Sequence, residues 1–223
     1  MHIPHGLVVT DNSASVAIAI GFWIASLFFL VWSWRKAKST YSRFVTALLS
    51  ISSAFVFAAQ MINFPITFGT IGHLVGGTFL AVLLGPFIAI LSMTIVLSMQ
   101  AFIFADGGLL MFGMSTFNMA IVGGLSFFLI KLLTRGSAVK RLFIPSVFFA
   151  SWVSVFVGAL LTALEISPAF EGGIMVTLPS MLFYYAIIGI GEATITTLLI
   201  SSIQRMQPTI IGGLKLLKES LEL

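Results

Sequence analysis

The run Ser15–Trp34, SVAIAIGFWIASLFFLVWSW, contains no charged side chain and is closed by Arg35 and Lys36. As a helix it is long enough to cross the hydrocarbon core of a bilayer, because that core is about 30 Å thick and each residue rises about 1.5 Å. Of the 223 residues, 59% are hydrophobic and 8% are charged, whereas a soluble domain carries about a quarter charged residues. The sequence therefore predicts an all-α integral membrane protein.

The same apolar pattern recurs along the chain and predicts about seven transmembrane helices in a single domain, 1–223. The stretch from His73 to Phe104 is too long for one helix. Gly85-Pro86 near its middle predicts a turn between two antiparallel spans, because proline fits the first turn of a helix. The predicted spans are 15–34, 44–63, two within 73–104, 110–133, 142–164 and 178–202.

The charges indicate the orientation of these spans. All 11 Lys and Arg residues lie in three places, which seven spans put on one side. These are Arg35, Lys36, Lys38 and Arg43; Lys131, Arg135, Lys140 and Arg141; and Arg205, Lys215 and Lys218. The opposite loops hold Asp11, Asp106, Glu165 and Glu171 and no basic residue. By the positive-inside rule the N-terminus lies outside and the C-terminus lies in the cytoplasm. Membrane orientation thus accounts for the basic excess behind the net charge of +4, and no nucleic-acid partner is expected.

The sequence lacks the motifs of an enzyme or an ATPase. It has no glycine-rich phosphate loop ending in Lys-Ser or Lys-Thr, no HExxH pair and no serine elbow. We expect a non-enzyme without an organic cofactor, whose energy for uphill transport comes from another subunit; the alternative is a self-sufficient permease or channel. Glu192 is the only ionisable residue inside a predicted span, and it either pairs within the bundle or relays metal. The tail 210–223 predicts a cytoplasmic amphipathic helix, for partner docking or for the membrane interface.

Three histidines, His2, His5 and His73, are all predicted near the outer face. Taken singly, such residues are usually solvent-facing, cap or interface residues. Met1-His2 has a more specific chemistry, because we expect a residue as large as His2 to prevent removal of the initiator methionine. The Met1 amine, the His2 amide nitrogen and the His2 Nδ1 can then chelate one metal ion through five- and six-membered rings.

A fourth nitrogen from His73 would complete a square around that metal. Square-planar nitrogen coordination favours Ni(II) or Cu(II), with Co(II) a poorer fit, whereas Zn(II) prefers a tetrahedron. The imidazoles must be neutral and the amide deprotonated, so affinity should fall in acid. The residues predict a metal site formed by an extracellular N-terminal segment, 1–13, together with His73.

Seven blocks spread over nearly the whole chain carry a family resemblance. They are Met1-His2-Ile3-Pro4-His5-Gly6, Phe57-Ala58-Ala59-Gln60-Met61-Ile62-Asn63-Phe64-Pro65, Gly72-His73-Leu74-Val75-Gly76-Gly77, Leu83-Leu84-Gly85-Pro86, Asp106-Gly107-Gly108-Leu109, Phe117-Asn118-Met119-Ala120 and Ile188-Gly189-Ile190-Gly191-Glu192-Ala193. In these blocks and their order the sequence resembles the cobalt/nickel substrate-specificity subunits of energy-coupling factor transporters, the CbiM/NikM family. His5 departs from the pattern, which usually has Asp there, and is either an additional entry ligand or a substitute polar residue.

The resemblance implies the function and the partners. It implies a substrate-binding subunit in the cell membrane that captures Ni²⁺ or Co²⁺ outside for an ATP-driven importer, with metal ligands at Met1, His2 and His73. The implied fold is a six-helix core with one additional N-terminal helix. The implied partners are a membrane-embedded coupling subunit, ATP-binding-cassette ATPase subunits and a small accessory membrane subunit. The resemblance also implies that the subunit reorients in the membrane during transport.

Five further residues are candidates for supporting roles. Asn63, Asp106 and Asn118 lie in or beside predicted outer loops and could orient the ligands; for Asp106 the alternative is a turn that caps the next helix. Ala54 and Ala58 are small residues four positions apart, which allows close approach of another helix. In the resembled family such alanines contact the coupling subunit, and internal packing is the alternative.

Overall fold

The computed structural model describes residues 13–65, 71–104, 108–134 and 139–219, which are mostly helical. A two-stranded sheet and short helical turns interrupt the long helices. The elements in chain order are α1 (Ser13–Ala37), α2 (Arg43–Gln60), β1 (Asn63–Pro65), β2 (Ile71–His73), α3 (Gly77–Leu84), α4 (Pro86–Ile103), α5 (Phe112–Ser115), a π-helix (Thr116–Ile121), α6 (Val122–Leu133), α7 (Val139–Ile166), a 3-10 turn (Ser167–Ala169), α8 (Ile174–Met206), a second 3-10 turn (Pro208–Ile210) and α9 (Gly212–Glu219).

Within the described ranges, six helices are long and apolar enough to cross a membrane, and they confirm the multi-pass class. The predicted turn at Gly85-Pro86 is also confirmed, with Gly85 at φ 86° and Pro86 opening α4. The third predicted span is the exception, because α3 has only eight residues and is about 12 Å long. Much of the apolar chain before it is extended strand and loop, which hydropathy does not distinguish from helix.

The short α3 nevertheless carries the chain back across the bundle. The Ser53 and Ser92 hydroxyls are 2.6 Å apart, and Gln100 donates to Gln60 at 2.8 Å. Both pairs join α2 to α4, and the partners advance in the same direction along the two helices. The two helices therefore run parallel, and the segment between them must return to the side where α2 began. The predicted placement of all three basic clusters on one side is consistent with this path.

The hairpin between α2 and α3 is absent from the all-α prediction. α2 ends at Gln60, three residues before the predicted boundary, and strands β1 and β2 pair antiparallel. Strand pairing satisfies backbone N–H and C=O groups that cannot remain unpaired in a nonaqueous environment. The hairpin brings the chain directly into α3.

α3 lies at the centre of the bundle, and all eight of its residues are buried. The Thr78 hydroxyl lies 2.9 Å from the hydroxyls of Ser126 in α6 and Ser154 in α7. A Cβ added at Gly77 would lie 2.7 Å from the Gly123 Cα, so the α3 and α6 backbones touch at this crossing. Small residues permit such close approach in membrane proteins. α3 is thereby held from two sides.

Helix α9 forms most of the predicted amphipathic tail. Its apolar residues Leu214 and Leu217 are buried inside this chain, whereas Leu216 is 42% exposed. Partner docking and a place at the membrane interface both stay predictions for the tail. Gly213 lies so close to α3 that an added Cβ would be 2.5 Å from the Val82 carbonyl oxygen. The tail is docked beneath α3.

Glu165 also differs from expectation. The sequence predicts an outer loop at this position, but Glu165 belongs to α7, which ends at Ile166. Its side chain is 2% exposed. Glu192 is therefore not the only ionisable side chain within the described spanning helices. The apolar run of α7 simply extends past Leu164, because a single acid near the helix end does not stop the helix.

Candidate metal site

His73 ends strand β2 and is almost completely buried, at 1% exposure. Its Nδ1 lies 2.8 Å from the carbonyl oxygen of Leu74. A carbonyl oxygen only accepts, so Nδ1 carries a hydrogen, and in the neutral ring Nε2 then carries the lone pair. Metal-binding histidines commonly hold the other ring N–H on a carbonyl in this way. In this neutral form the ring would coordinate a metal ion through Nε2.

Glu192 anchors the backbone that follows His73. The Val75 N–H donates to its Oε2 at 2.7 Å, and the Gly76 N–H donates to its Oε1 at 2.8 Å. Gly76 precedes the first residue of α3, so the carboxylate lies at the positive end of that helix. Of the two roles weighed for Glu192, pairing inside the bundle agrees with these contacts. The carboxylate fixes the position of the His73 segment.

A second anchor comes from two glutamines. Gln60, the last residue of α2, donates through Nε2 to the Val75 carbonyl oxygen at 2.7 Å. Gln100 of α4 donates in turn to Gln60 Oε1 at 2.8 Å. Val75 is thus held at both its N–H and its C=O, two residues from His73. Three helices, α2, α4 and α8, fix this short segment.

Asn63 is brought to His73 by the strand register. In the β1–β2 hairpin the Cα atoms of Asn63 and His73 are direct partners. This places a predicted supporting residue beside the predicted ligand along the backbone. Four other candidates, Met1, His2, His5 and Asp106, lie outside the described residues.

Asn118 has its described hydrogen bonds elsewhere. It lies in the π-helix and donates to Glu165 at 2.8 Å and to Thr162 at 3.0 Å, both in α7. No described hydrogen bond joins it to the His73 segment. Its position in a π-helix is notable, because such insertions are frequent at functional sites. Asn118 and Glu165 form a separate buried polar pair.

His73 needs other ligands to hold a metal ion. Within the described ranges, no group of three or more His, Cys, Asp or Glu side chains lies together. One neutral imidazole is a suitable ligand for nickel, copper, zinc or iron, but one ligand does not make a specific site. The arrangement can supply one rigidly positioned nitrogen to a metal that is also held by other parts of the chain.

The sequence agrees with a known family of metal transporters. The model of the CbiM family, described as the cobalt uptake substrate-specific transmembrane region, matches residues 2–210. The chain belongs to the CbiM family. It is a multi-pass membrane component of cobalt/nickel uptake, as the family, its nickel-transport relatives and the six apolar helices show.

Curated relatives and solved structures agree with this membership. A relative from Archaeoglobus fulgidus, provisionally named a fused nickel transport protein, is 36% identical over 214 residues, which cover 95% of this chain and 68% of the relative. The fused nickel transport protein of Rhodobacter capsulatus is 32% identical over 95% of this chain and 64% of its own length. A crystal structure of a truncated transition metal transporter superposes with a TM-score of 0.82 at 30% identity, covering 92% of this chain and 99% of that one.

The alanines predicted to meet a partner are on the outside of this CbiM-family fold. Ala54 and Ala58 both lie on an exposed face of α2. Internal packing, which was the alternative for this pair, does not apply. The face is available to lipid or to another helix.

Gln60, Gln100 and the partners of Glu192 were not predicted as parts of the CbiM-family site. A signal was present, because Gln60 and Gln100 are amide side chains within otherwise apolar runs. Buried polar groups require hydrogen-bond partners, so two such amides indicate a polar contact inside the bundle. The sequence does not show which part of the backbone that contact positions, because this depends on the tertiary structure.

Proposed function

We propose that this chain captures Ni²⁺ or Co²⁺ at the extracellular face as the substrate-binding subunit of an energy-coupling factor importer. The observation that carries the proposal is the buried His73, with Nδ1 on the Leu74 carbonyl and its segment held by Glu192. A ring fixed in this way is preorganised as a ligand, because its tautomer and position need not change on binding.

The proposed ligands are the Met1 amine, the amide nitrogen and Nδ1 of His2, and Nε2 of His73. Four nitrogens suit the square geometry of Ni(II), with Co(II) as a poorer fit. Asn63, opposite His73 in the hairpin, is proposed to support the site. Asp106, His5 and Asn118 are proposed as further supporting residues, of which Asn118 would act through the Glu165 pair.

The energy for transport is proposed to come from separate subunits. The sequence lacks a phosphate-binding loop, so ATP hydrolysis would be performed by ATP-binding-cassette subunits. A membrane-embedded coupling subunit would contact the exposed face of α2 at Ala54 and Ala58. A small accessory membrane subunit is a further proposed partner. Uptake by this chain alone in ATPase-free liposomes would instead support a self-sufficient permease.

The deciding experiment compares metal binding by purified chains. The native chain should bind one Ni²⁺ or Co²⁺ tightly. A long N-terminal extension, His2→Gln and His73→Gln should each weaken binding strongly, and a matched change at an exposed carboxylate, Glu171→Gln, should not. Equal binding by the extended and the native chain would refute the N-terminal chelate.

A further inference from the structure

The short helix α3 connects the two ends of the molecule. At its N-terminal end, Gly76 is bonded to Glu192 and follows the His73 segment. At its C-terminal end, Gly85 ends the helix with φ 86°. Because α3 is about 12 Å long, it leaves much of the roughly 30 Å membrane thickness to be filled by other elements.

α9 fills the space on the cytoplasmic side. A Cβ added at Gly212 would lie 3.0 Å from the Leu83 carbonyl oxygen, and one added at Gly85 would lie 3.0 Å from the Leu216 side chain. The buried Leu214 and Leu217 belong to the same apolar cluster as the residues of α3. The last turn of α3 therefore rests directly on the tail, backbone against backbone.

Helix α3, which links α9 to the His73 segment, is tightly packed along its whole length. Every residue of α3 is buried, Thr78 bonds to neighbouring helices on two sides, and Gly77 touches the α6 backbone. Packed interiors transmit displacement because they have little free volume. A shift of α3 away from the tail would move Val75 and Gly76, and with them His73.

We propose that the docked tail α9 controls metal affinity through α3. With α9 docked, α3 is supported from below and His73 is held in its binding position; with α9 displaced, α3 loosens and the metal is held less tightly. The inference rests on the proposed function, since it takes His73 as a ligand. Linkage then requires the reverse effect, so bound metal must also hold the tail in place.

The test uses two variants of the tail and one control in the full chain with its native N-terminus. Gly213→Ala places a Cβ 2.5 Å from the Val82 carbonyl oxygen, and a chain ending at Ile211 removes α9 entirely. The control is Gly191→Ala, an exposed position in α8 where an added Cβ meets nothing within 4 Å. The probe is Ni²⁺ alone, titrated by calorimetry, with hydrogen exchange followed along the chain.

The expected result is a Kd for Ni²⁺ at least about fivefold weaker in both tail variants, with one site per chain retained and the control unchanged. In the wild type, Ni²⁺ should slow exchange in α9 by a similar factor, a readout that a merely stabilising tail would not show. A wild-type Kd in a variant whose α9 exchanges rapidly would overturn the proposal. If the chain ending at Ile211 does not fold, the Kd for Ni²⁺ and the exchange rates of Gly213→Ala test the proposal. A wild-type chain that binds no metal would instead refute the proposed function, and the inference with it.

Discussion

The carboxylate of Glu192 accepts the Gly76 N–H at 2.8 Å, joining the middle of α8 to the start of α3 across 116 positions of sequence. It also accepts the Val75 N–H at 2.7 Å. A buried carboxylate is costly in a membrane protein, and here two backbone donors and a helix N-terminus offset that cost. The same contacts determine where His73 lies.

Replacing Glu192 by Gln should weaken metal binding without unfolding the protein. A neutral amide can accept one of the two N–H groups but presents a donor to the other, so the His73 segment loses an anchor. Substituting a group that orients a metal ligand typically costs about 10–100-fold in affinity. Calorimetric titration with Ni²⁺ measures the change.

The control for that change is Glu171→Gln, which removes an exposed carboxylate at the proposed outer side. It should leave the Kd at the wild-type value. An equal loss in both variants would indicate a general effect of negative charge on cation binding, and would contradict the anchoring role.

Gln60→Leu should lower both thermal stability and Ni²⁺ affinity. The change leaves the Val75 carbonyl and the Gln100 amide without their described partner, and an unpaired buried polar group costs about 1–3 kcal/mol. The double variant Gln60→Leu/Gln100→Leu should recover part of the stability, because both members of one bond are then absent. Melting temperatures in detergent form a double-mutant cycle; strict additivity would show that the two amides do not interact.

Gly77→Ala should destabilise the protein through a backbone clash. The added Cβ would lie 2.7 Å from both the Gly123 Cα and the Met119 carbonyl oxygen, and overpacking of this kind costs about 1–3 kcal/mol. The matched control is Gly21→Ala in α1, where a Cβ meets nothing within 4 Å. Alanine favours helix over glycine, so the control should melt at or above the wild-type temperature. A Gly77→Ala variant with the same melting temperature as the control would contradict the close contact between the α3 and α6 backbones.

Ni²⁺ affinity should fall steeply in acid. Below the pKa of a free α-amine, the proposed chelate must release at least two protons, one from the Met1 amine and one from the His2 amide. The apparent affinity should then fall about a hundredfold for each pH unit lost. Titrations between pH 7.5 and 6 check this. A loss of tenfold or less per unit would contradict the release of the amide proton.

Ala58→Leu should impair uptake by an assembled transporter while leaving metal binding by the isolated chain unchanged. Ala58 is exposed on α2, so a larger side chain has room in lipid but would obstruct a helix docked there. Thr194→Leu on the exposed face of α8 is the control and should retain uptake. Normal uptake by the Ala58 variant would place the coupling contact on another surface.

Much of the fold follows from the sequence, because the membrane imposes simple requirements. The apolar run at 15–34 and the break at Gly85-Pro86 correspond to α1 and to the start of α4. Hydropathy measures the free energy of moving a side chain out of water, and it carries no information on backbone conformation. It therefore could not separate the β2 strand and the eight residues of α3 from a full span.

The site was only partly predictable for a related reason. His73 was singled out because histidine is rare in this chain and has a known metal chemistry. Glu192 was noticed as a charge in an apolar helix, but its partner Val75 is 117 positions away. No local pattern specifies a pairing over that distance. Gln60 and Gln100 are likewise polar side chains within apolar runs. That they bond to each other follows only from the parallel arrangement of α2 and α4.

The length of α3 has a consequence for how the protein is made. An insertion machinery that admits segments by their apolar length would accept α2 and α4 but gain little from eight residues that lipid never contacts. α2 and α4 run parallel, so the hairpin and α3 must thread back between them. α3 also needs α6, α7 and α9 as neighbours, and all of these are synthesised later. We therefore expect this centre of the bundle to assemble late, after α9 has left the ribosome.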